Sequence, residues 1–268
     1  MLRLEFEQKA TDLRFIKIIL AILAFSMILM QGQVIAQKKV LNLPTYDYSK
    51  YHFGFILGLN QLNFVVRTND NLSQVTYDST QSPDIYADSM RILSIDSDPT
   101  LGFTIGIVGN LRIGKYFDLR FIPSLSFGER YLNYTFLRYF NGTQSVVDIK
   151  KSVTSTFVDF PLEIKYKSKR IGNYRAYVMT GFKYTMDLAT NKSKKADDPN
   201  STLVRLNKND FSIEGGVGFD FYNAWFKFGI ELKMSYGLTD VLVREDNVYT
   251  SGIDKLSSKM FQVSFTFE

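Results

Sequence analysis

Apolar and polar residues alternate one by one through most of the chain from Tyr51 onward. The first such run places Phe53, Phe55, Leu57 and Leu59 on one face, with Gly54, Gly58 and Asn60 on the other. A period of two is typical of β-strands whose two faces meet different surroundings. Comparable runs follow at 101–107, 118–127, 158–166, 175–187, 211–221, 226–236 and 261–267, the fourth of these being the least regular. The pattern predicts eight strands.

The connections between these runs alternate in length. Short turns at 113–116, 168–174 and 222–224 alternate with longer polar stretches at 68–99, 137–151, 188–207 and 239–257. Barrels of the bacterial outer membrane have short periplasmic turns, long external loops and an even number of strands. We therefore predict an all-β fold, an eight-stranded antiparallel up-and-down transmembrane β-barrel in the cell outer membrane, with both ends of the mature chain in the periplasm.

Two prolines fall inside the predicted strands. A closed barrel has no edge strand on which the missing N–H is harmless. We therefore expect bulges or rim positions at Pro123 and Pro161.

The N-terminal region has the pattern of a signal peptide. Lys9, Arg14 and Lys17 precede the uncharged apolar run 18–30, which is shorter than the roughly 20 residues that a membrane-spanning helix needs. Small residues around Ala36 fit a cleavage site. We predict a signal peptide over 1–36, a periplasmic segment over 37–50 and the barrel over 51–268; a retained signal anchor is the alternative.

The charged residues of the strands decide which face meets lipid. A Lys or Arg at the bilayer midplane costs about 2–4 kcal/mol on the lipid face, whereas Phe and Leu are favoured there. Aromatic residues make up 15% of the sequence, which suits a lipid-facing wall better than the alternative of a soluble sandwich with its apolar face inside. The predicted interior charge network consists of Asp159, Glu163, Lys165, Glu214, Asp220, Lys227, Glu231 and Lys233. Because eight strands enclose little space, we expect these side chains to fill the interior.

Composition narrows the possible chemistry. The chain has no Cys, so disulfides and thiolate metal sites are excluded, and the acids of the first loop lack the spacing of a calcium loop. We predict no metal site and no cofactor. The formal net charge of +5 is spread among acids and follows an export signal, so we expect no nucleic-acid partner.

The sequence contains one histidine that could act as a catalytic base. A barrel hydrolase of the Ser-His-acid type would need His52 as its base, yet His52 stands at the start of the first predicted strand, on the periplasmic side. We predict a protein that is not an enzyme and has no catalytic residues. A small-solute channel and, after it, a lipid-modifying hydrolase are the alternatives.

Several continuous stretches give the chain a resemblance to a known family. They are Phe53–Asn60, Phe117–Pro123, Ser126–Arg130, Asp159–Leu162, Lys165–Arg170, Asn173–Arg175, Gly218–Tyr222, Phe226–Phe228, Glu231–Lys233 and Ser258–Met260. In these stretches, which cover nearly the whole predicted mature chain, the sequence resembles the PorT-type barrel proteins of the type IX secretion and gliding system of the Bacteroidota.

The resemblance implies a role in protein export. It implies a non-enzymatic outer-membrane component required for assembly or operation of the type IX machinery, which exports cargo with C-terminal sorting domains, including gliding adhesins. The expected partners are other type IX components, chiefly the translocon, besides membrane lipid and lipopolysaccharide. Two surfaces are candidates for contact with partners: the long first loop, and the basic turn with Lys167, Lys169, Arg170 and Tyr174.

Overall fold

The computed structural model describes residues 40–78, 85–189, 204–245 and 247–268, so the predicted signal peptide lies outside the described residues. The strands are β1 (Tyr51–Thr68), β2 (Tyr77–Asp78), β3 (Ser89–Asp98), β4 (Thr100–Arg112), β5 (Phe117–Phe121), β6 (Ser124–Phe140), β7 (Thr143–Lys167), β8 (Tyr174–Asp187), β9 (Arg205–Leu206), β10 (Asn209–Tyr222), β11 (Lys227–Gly237), β12 (Leu242–Val243) and β13 (Ile253–Phe267). A 3-10 helix spans Tyr46–Tyr48, and a short helix, α1, spans Val248–Ser251. None of the helices in these ranges is long and apolar enough to cross a membrane.

The strands close into a barrel. The wall strands pair antiparallel with their neighbours, and the first of them, β1, pairs with β13 on one side and with β4 on the other. β9 and β12 form a separate two-stranded sheet. β3 and β4 together form the second wall strand and β5 and β6 the third, so that eight wall strands form the ring. This confirms the predicted eight-stranded up-and-down architecture. We call the end with the short connections 113–116, 168–173 and 223–226 the turn end, and the opposite end the hairpin end.

The two prolines interrupt hydrogen bonding without changing register. Pro123 separates β5 from β6, and Pro161 lies in β7 directly across from this break. The pairing Phe121↔Leu162 and the pairing Ser124↔Asp159 belong to one register, which no extra residue shifts. The expectation of a bulge was therefore wrong. Pro123 and Pro161 lie at the same level on neighbouring strands, and the regular hydrogen bonding between those strands continues on both sides of them.

Side-chain direction follows the predicted parity near the turn end. In β1, Phe53, Phe55, Leu57 and Leu59 are exposed on the outside, whereas Asn60 is buried inside. Stacked aromatic pairs line the outer surface, for example Phe55 on Phe267 with ring centroids 4.7 Å apart. An apolar outer belt around a polar interior is the arrangement that a bilayer requires of a barrel wall.

Farther along the same strands, toward the hairpin end, the inward-facing residues are apolar instead of polar. In β6 the inward positions change from Ser126 and Arg130 to an apolar series at Leu132, Tyr134 and Phe136, all buried. The same alternate residues still point inward. Their polarity differs because, above the apolar belt, the outer surface of the wall is in contact with water instead of lipid. Strands therefore continue where the sequence predicted loops, with β3 inside 68–99 and β6 and β7 through most of 137–151.

A two-residue turn replaces the loop predicted at 137–151. Asn141 and Gly142 join β6 to β7, and both have positive φ, 48° and 74°. Two consecutive residues with positive φ define the type I′ turn, whose twist matches that of antiparallel strands and for which Asn-Gly is the preferred sequence.

An apolar core fills the hairpin end. Its members come from both wall strands and connections: Phe64, Tyr77, Ile85, Ala87, Met90, Ile92, Ile95, Leu132, Tyr134, Phe136, Val153, Val204, Leu206, Val241, Leu242, Val248, Tyr249, Ile253 and Leu256. We call this set the apolar cap. Tyr249 of α1 lies at its centre, with its ring edge-on to Tyr134 and Phe136, and the Tyr134 hydroxyl donates a hydrogen bond to its carbonyl (3.0 Å). The hairpin end thus resembles a small soluble core on top of the membrane barrel.

A close approach inside the barrel requires glycine at position 218. A Cβ on Gly218 would lie 2.5 Å from the ring of Tyr177, which cannot move aside because it is buried and its hydroxyl donates to Glu231 (2.8 Å). We expect Gly218→Ala to lower the free energy of unfolding by about 1–3 kcal/mol through overpacking. Gly215→Ala, whose Cβ would have its nearest neighbour at 3.8 Å, is the matched control in urea titrations of vesicle-inserted protein. Equal losses in the two variants would contradict this explanation.

Candidate functional site

Arg120 lies at the centre of the charged interior. Its side chain has no exposed surface, and its guanidinium donates to Glu231 (2.7 Å) and lies 3.5 Å from Glu163 and 3.6 Å from Glu268. The three carboxylates come from β7, β11 and the residue after β13, and Arg120 itself comes from β5. One cation therefore joins three separated parts of the wall.

Further ion pairs extend from this centre. Lys233 donates to Glu163 (2.9 Å), and Lys227 donates to Glu268 (2.9 Å). A separate pair joins Lys165 of β7 to Asp220 of β10 (3.0 Å). Because isolated buried charges are very costly, this mutual pairing is what allows charged side chains to pack inside a narrow barrel.

All eight residues predicted for the interior network are buried inside the barrel. Six of them form the close ion pairs just described. Asp159 instead accepts hydrogen bonds from Ser126 (2.7 Å) and Thr185 (2.6 Å), with Lys183 at 3.9 Å. Glu214 accepts a hydrogen bond from Ser235 (3.2 Å).

Sequence reasoning left several members out of this network. Asp118 and Arg120 alternate with lipid-facing Leu119 and Phe121, so their parity pointed inward, as does that of Glu268 after Phe267. Arg130 marks the boundary with the apolar cap; its guanidinium lies 4.1 Å from the ring centroid of Phe64. The alternation thus indicated an inward direction for Asp118, Arg120 and Glu268, whereas Arg130 lies beyond the alternating run 118–127.

The two cavities described beside Arg130 are small. Both are bordered by Arg130, Asp210 and Ser258, and their volumes are about 20 and 10 Å³. A site of roughly 10–15 Å³ holds a single water molecule, so neither cavity has room for a solute. In the described part of the chain, side chains occupy the middle of the barrel and the apolar cap covers its hairpin end.

The basic turn differs from the sequence interpretation. Lys167 is not part of an exposed turn: it is buried, because its parity in β7 directs it inward, and it donates to Asp118 (2.6 Å). Lys169 and Tyr174 are exposed. Arg170 bends back over the turn end, where it donates to the carbonyls of Leu43 (3.3 Å) and Asn42. Arg170 of the turn thus binds the chain's own residues Asn42 and Leu43.

The stretch that precedes β1 lies across the turn end. We call residues 41–48 the N-terminal segment. Its Asp47 accepts two hydrogen bonds of 2.7 Å from the guanidinium of Arg175, and Arg112 donates to the Asp47 carbonyl. Partial burial by itself raises the pKa of Asp47, but the hydrogen bonds and charge of Arg175 outweigh it and hold the pKa below its ordinary range.

This lowered pKa predicts acid release of the N-terminal segment. A depressed carboxylate pKa stabilises attachment fully above the ordinary value of about 3.9, and the contribution is lost as the pH falls through the lower pKa of the attached form. Since the chain has no Cys, Thr45→Cys gives a single fluorophore position. We expect the probe signal to report detachment below about pH 4. Asp47→Asn should abolish this pH dependence, and an unchanged profile would contradict the assignment.

His52 and the acidic residues form neither a triad nor a metal site in the described ranges. His52 Nε2 lies 2.8 Å from the carbonyl oxygen of Tyr46, and its ring stacks on the Tyr46 ring at 3.9 Å. Among the described residues no group of three acidic or histidine side chains comes together in a way that would hold a metal ion.

A closed barrel with an apolar belt and a charged interior defines an integral outer-membrane β-barrel protein. The model of the family "Outer membrane protein beta-barrel domain" matches residues 35–243, and the chain belongs to this family. No curated protein matches the sequence.

Solved structures of barrels from Pseudomonas aeruginosa are similar to the chain at low identity. The outer membrane protein OprG is 12% identical with a TM-score of 0.35, covering 82% of this chain and 96% of its own. The N-terminal β-barrel domain of OprF is 11% identical with a TM-score of 0.25, covering 79% and 96%. A FadL homologue is 9% identical with a TM-score of 0.22, covering 82% and 90%.

Proposed function

We propose that the protein is a non-enzymatic component of an outer-membrane protein secretion machinery of the type IX kind. The observation that carries the non-channel part of this proposal is the filled interior, with a fully buried Arg120 bound by three carboxylates. A barrel whose middle is occupied by paired charges acts through its ends and its outer wall. Those are the surfaces on which a membrane-embedded partner, lipid or a periplasmic protein binds.

The assignment to type IX secretion rests on the resemblance to PorT-type barrels in the stretches quoted above, among them Asp159–Leu162 and Lys165–Arg170. Several residues of these stretches belong to the interior network, for example Asp159, Lys165 and Glu231. The proposed partners are the translocon and other components of the same machinery, together with lipopolysaccharide around the outer wall. The protein would act in assembly or operation of the export machinery for cargo with C-terminal sorting domains, gliding adhesins included.

Deletion of the gene tests this function. We expect cargo with C-terminal sorting domains to accumulate in the periplasm and adhesins to be lost from the cell surface. Normal export in the deletion strain would overturn the proposal.

Planar-bilayer recordings test the non-channel part separately. We expect no steady conductance from the purified protein, whereas defined unitary steps would favour the channel alternative. A matched open control is the variant with Arg120, Glu163 and Glu231 all replaced by Ala, which removes the side chains that meet at the centre of the barrel.

A further inference from the structure

The N-terminal segment binds the turn end as a peptide ligand binds a receptor. Three arginines hold it. Arg175, near the start of β8, binds the carboxylate of Asp47, while Arg112 at the end of β4 and Arg170 in the connection 168–173 bind main-chain carbonyls. A planar guanidinium matches a carboxylate with two parallel hydrogen bonds, which gives direction as well as strength. The turn end therefore recognises an acid together with main-chain carbonyls of that acid and of residues before it.

Tyr46 supplies an aromatic anchor next to that acid. Its ring stacks on His52 and meets Tyr222 edge-on at 5.7 Å. The Tyr46 hydroxyl donates to Glu268 (3.1 Å), and the ammonium of Lys227 lies 4.9 Å from the ring centroid. An aromatic side chain in a pocket beside a bidentate arginine contact is the kind of feature that carries most of the binding energy in protein interfaces.

Apart from the Tyr46 ring, the segment is held by polar contacts at the surface. None of residues 41–48 is fully buried, and no side chain of the 3-10 helix Tyr46–Tyr48 belongs to an apolar core. Water or another peptide can replace hydrogen bonds of this kind, so the Tyr46 ring is the main contact for which a competing peptide must supply an equivalent aromatic side chain. Asn42 adds two further exchangeable contacts, donating to Asn173 Oδ1 (3.0 Å) and to the Tyr222 carbonyl (2.9 Å).

We propose that the turn end is a receptor site for a short segment of a periplasmic protein in which an aromatic residue precedes an acidic one. The chain's own Tyr46-Asp47 occupies this site in cis, and the partner binds by displacing it. The surface that binds consists of Arg112, Arg170, Arg175, His52 and Tyr222. This inference does not depend on the secretion role, because it follows from the contacts of the segment alone.

A peptide with the sequence of residues 41–50 tests the site in the full-length protein. The cis segment competes at an effective concentration on the order of millimolar, so wild-type protein should bind the fluorescent peptide weakly. The double variant Tyr46→Ala/Asp47→Asn vacates the site. We expect its peptide affinity, measured by fluorescence anisotropy in lipid nanodiscs, to exceed that of wild type by at least tenfold.

Changes on both sides of the contact separate recognition from nonspecific adhesion. In the double-variant background, a further Arg175→Ala should abolish peptide binding, and Arg175→Lys should fail to restore it because an ammonium lacks the two-pronged geometry. A peptide in which asparagine replaces the acid should bind at least tenfold more weakly. Circular dichroism and urea titration verify that each variant retains the barrel.

Two outcomes would overturn the proposal. If the vacated site does not bind the peptide, the segment is a fixed part of the fold and not the occupant of a receptor site. If binding is indifferent to Arg175 and to the acid of the peptide, the peptide adheres to the lipid or to the outer wall. Preserved recognition together with normal cargo export in a deletion strain would keep the receptor site and reject the secretion role.

Discussion

Replacing Arg120 by methionine should lower the free energy of unfolding by about 3–5 kcal/mol, because it leaves the buried carboxylate of Glu231 without its cation and takes a second cation from Glu163 and Glu268. Glu231, Glu163 and Glu268 all lie within 3.6 Å of the guanidinium, and none of the three side chains has exposed surface. Urea titration of the protein in lipid vesicles, followed by circular dichroism, measures the loss.

A surface arginine provides the control for this prediction. Arg67 pairs with Asp254 at 3.2 Å, but its side chain is 77% exposed. Exposed ion pairs contribute about 0–1 kcal/mol, so Arg67→Met should change the stability little. Adding Glu231→Gln to Arg120→Met should recover part of the loss, because it removes the carboxylate charge that Arg120→Met leaves without an ion-pair partner. Equal effects at positions 67 and 120 would show that the interior network does not stabilise the barrel.

Truncating Phe136 to alanine should cost about 3–5 kcal/mol, comparable to the same change in the core of a soluble protein. Phe136 is fully buried in the apolar cap, where Tyr249 packs edge-on against its ring at 5.9 Å. The loss should be accompanied by faster proteolysis of the connections at the hairpin end, since the cap is what holds them. Both quantities can be followed in vesicles exposed to a protease added outside.

Val146→Ala is the matched control for the cap. Val146 lies on the same β6–β7 hairpin but is 60% exposed, so its truncation removes little buried surface. We expect a change below about 0.5 kcal/mol. If Phe136→Ala lowered the free energy of unfolding as little as Val146→Ala, the hairpin end would be loosely packed. The inward-facing apolar residues of β6 would then not stabilise the fold.

The membrane-embedded half of the fold could be predicted because one constraint acts on every strand residue there. Lipid outside and a narrow polar interior make apolar and charged residues alternate strictly, so parity alone placed Glu163, Lys165 and Lys233 inside. The same parity applied to Asp118 and Arg120. The alternation does not predict which inward-facing charges pair with each other. The contact of Arg120 with three carboxylates depends on the register between strands, and the pattern along one strand carries no information about that register.

The hairpin end escaped prediction because its environment changes partway along each strand. Beyond Arg130, outward-facing residues are in contact with water and inward-facing residues pack in the apolar cap. Strands predicted from lipid-facing apolar residues are therefore too short. One local signal was available in Asn141-Gly142, a preferred hairpin turn sequence. Docking of the N-terminal segment had no such signal, because eight residues without periodicity say nothing about a contact with Arg175 more than a hundred positions away.

The length of β7 has a practical consequence for work on living cells. At about 3.3 Å per residue and a tilt of roughly 40°, a strand of 25 residues rises about 60 Å, more than twice the roughly 25 Å of the lipid-facing band. The Asn141-Gly142 turn at its tip therefore stands well clear of the bilayer. A short epitope inserted between these two residues would be within reach of antibodies on intact bacteria, which makes this turn a convenient handle for counting the protein at the cell surface.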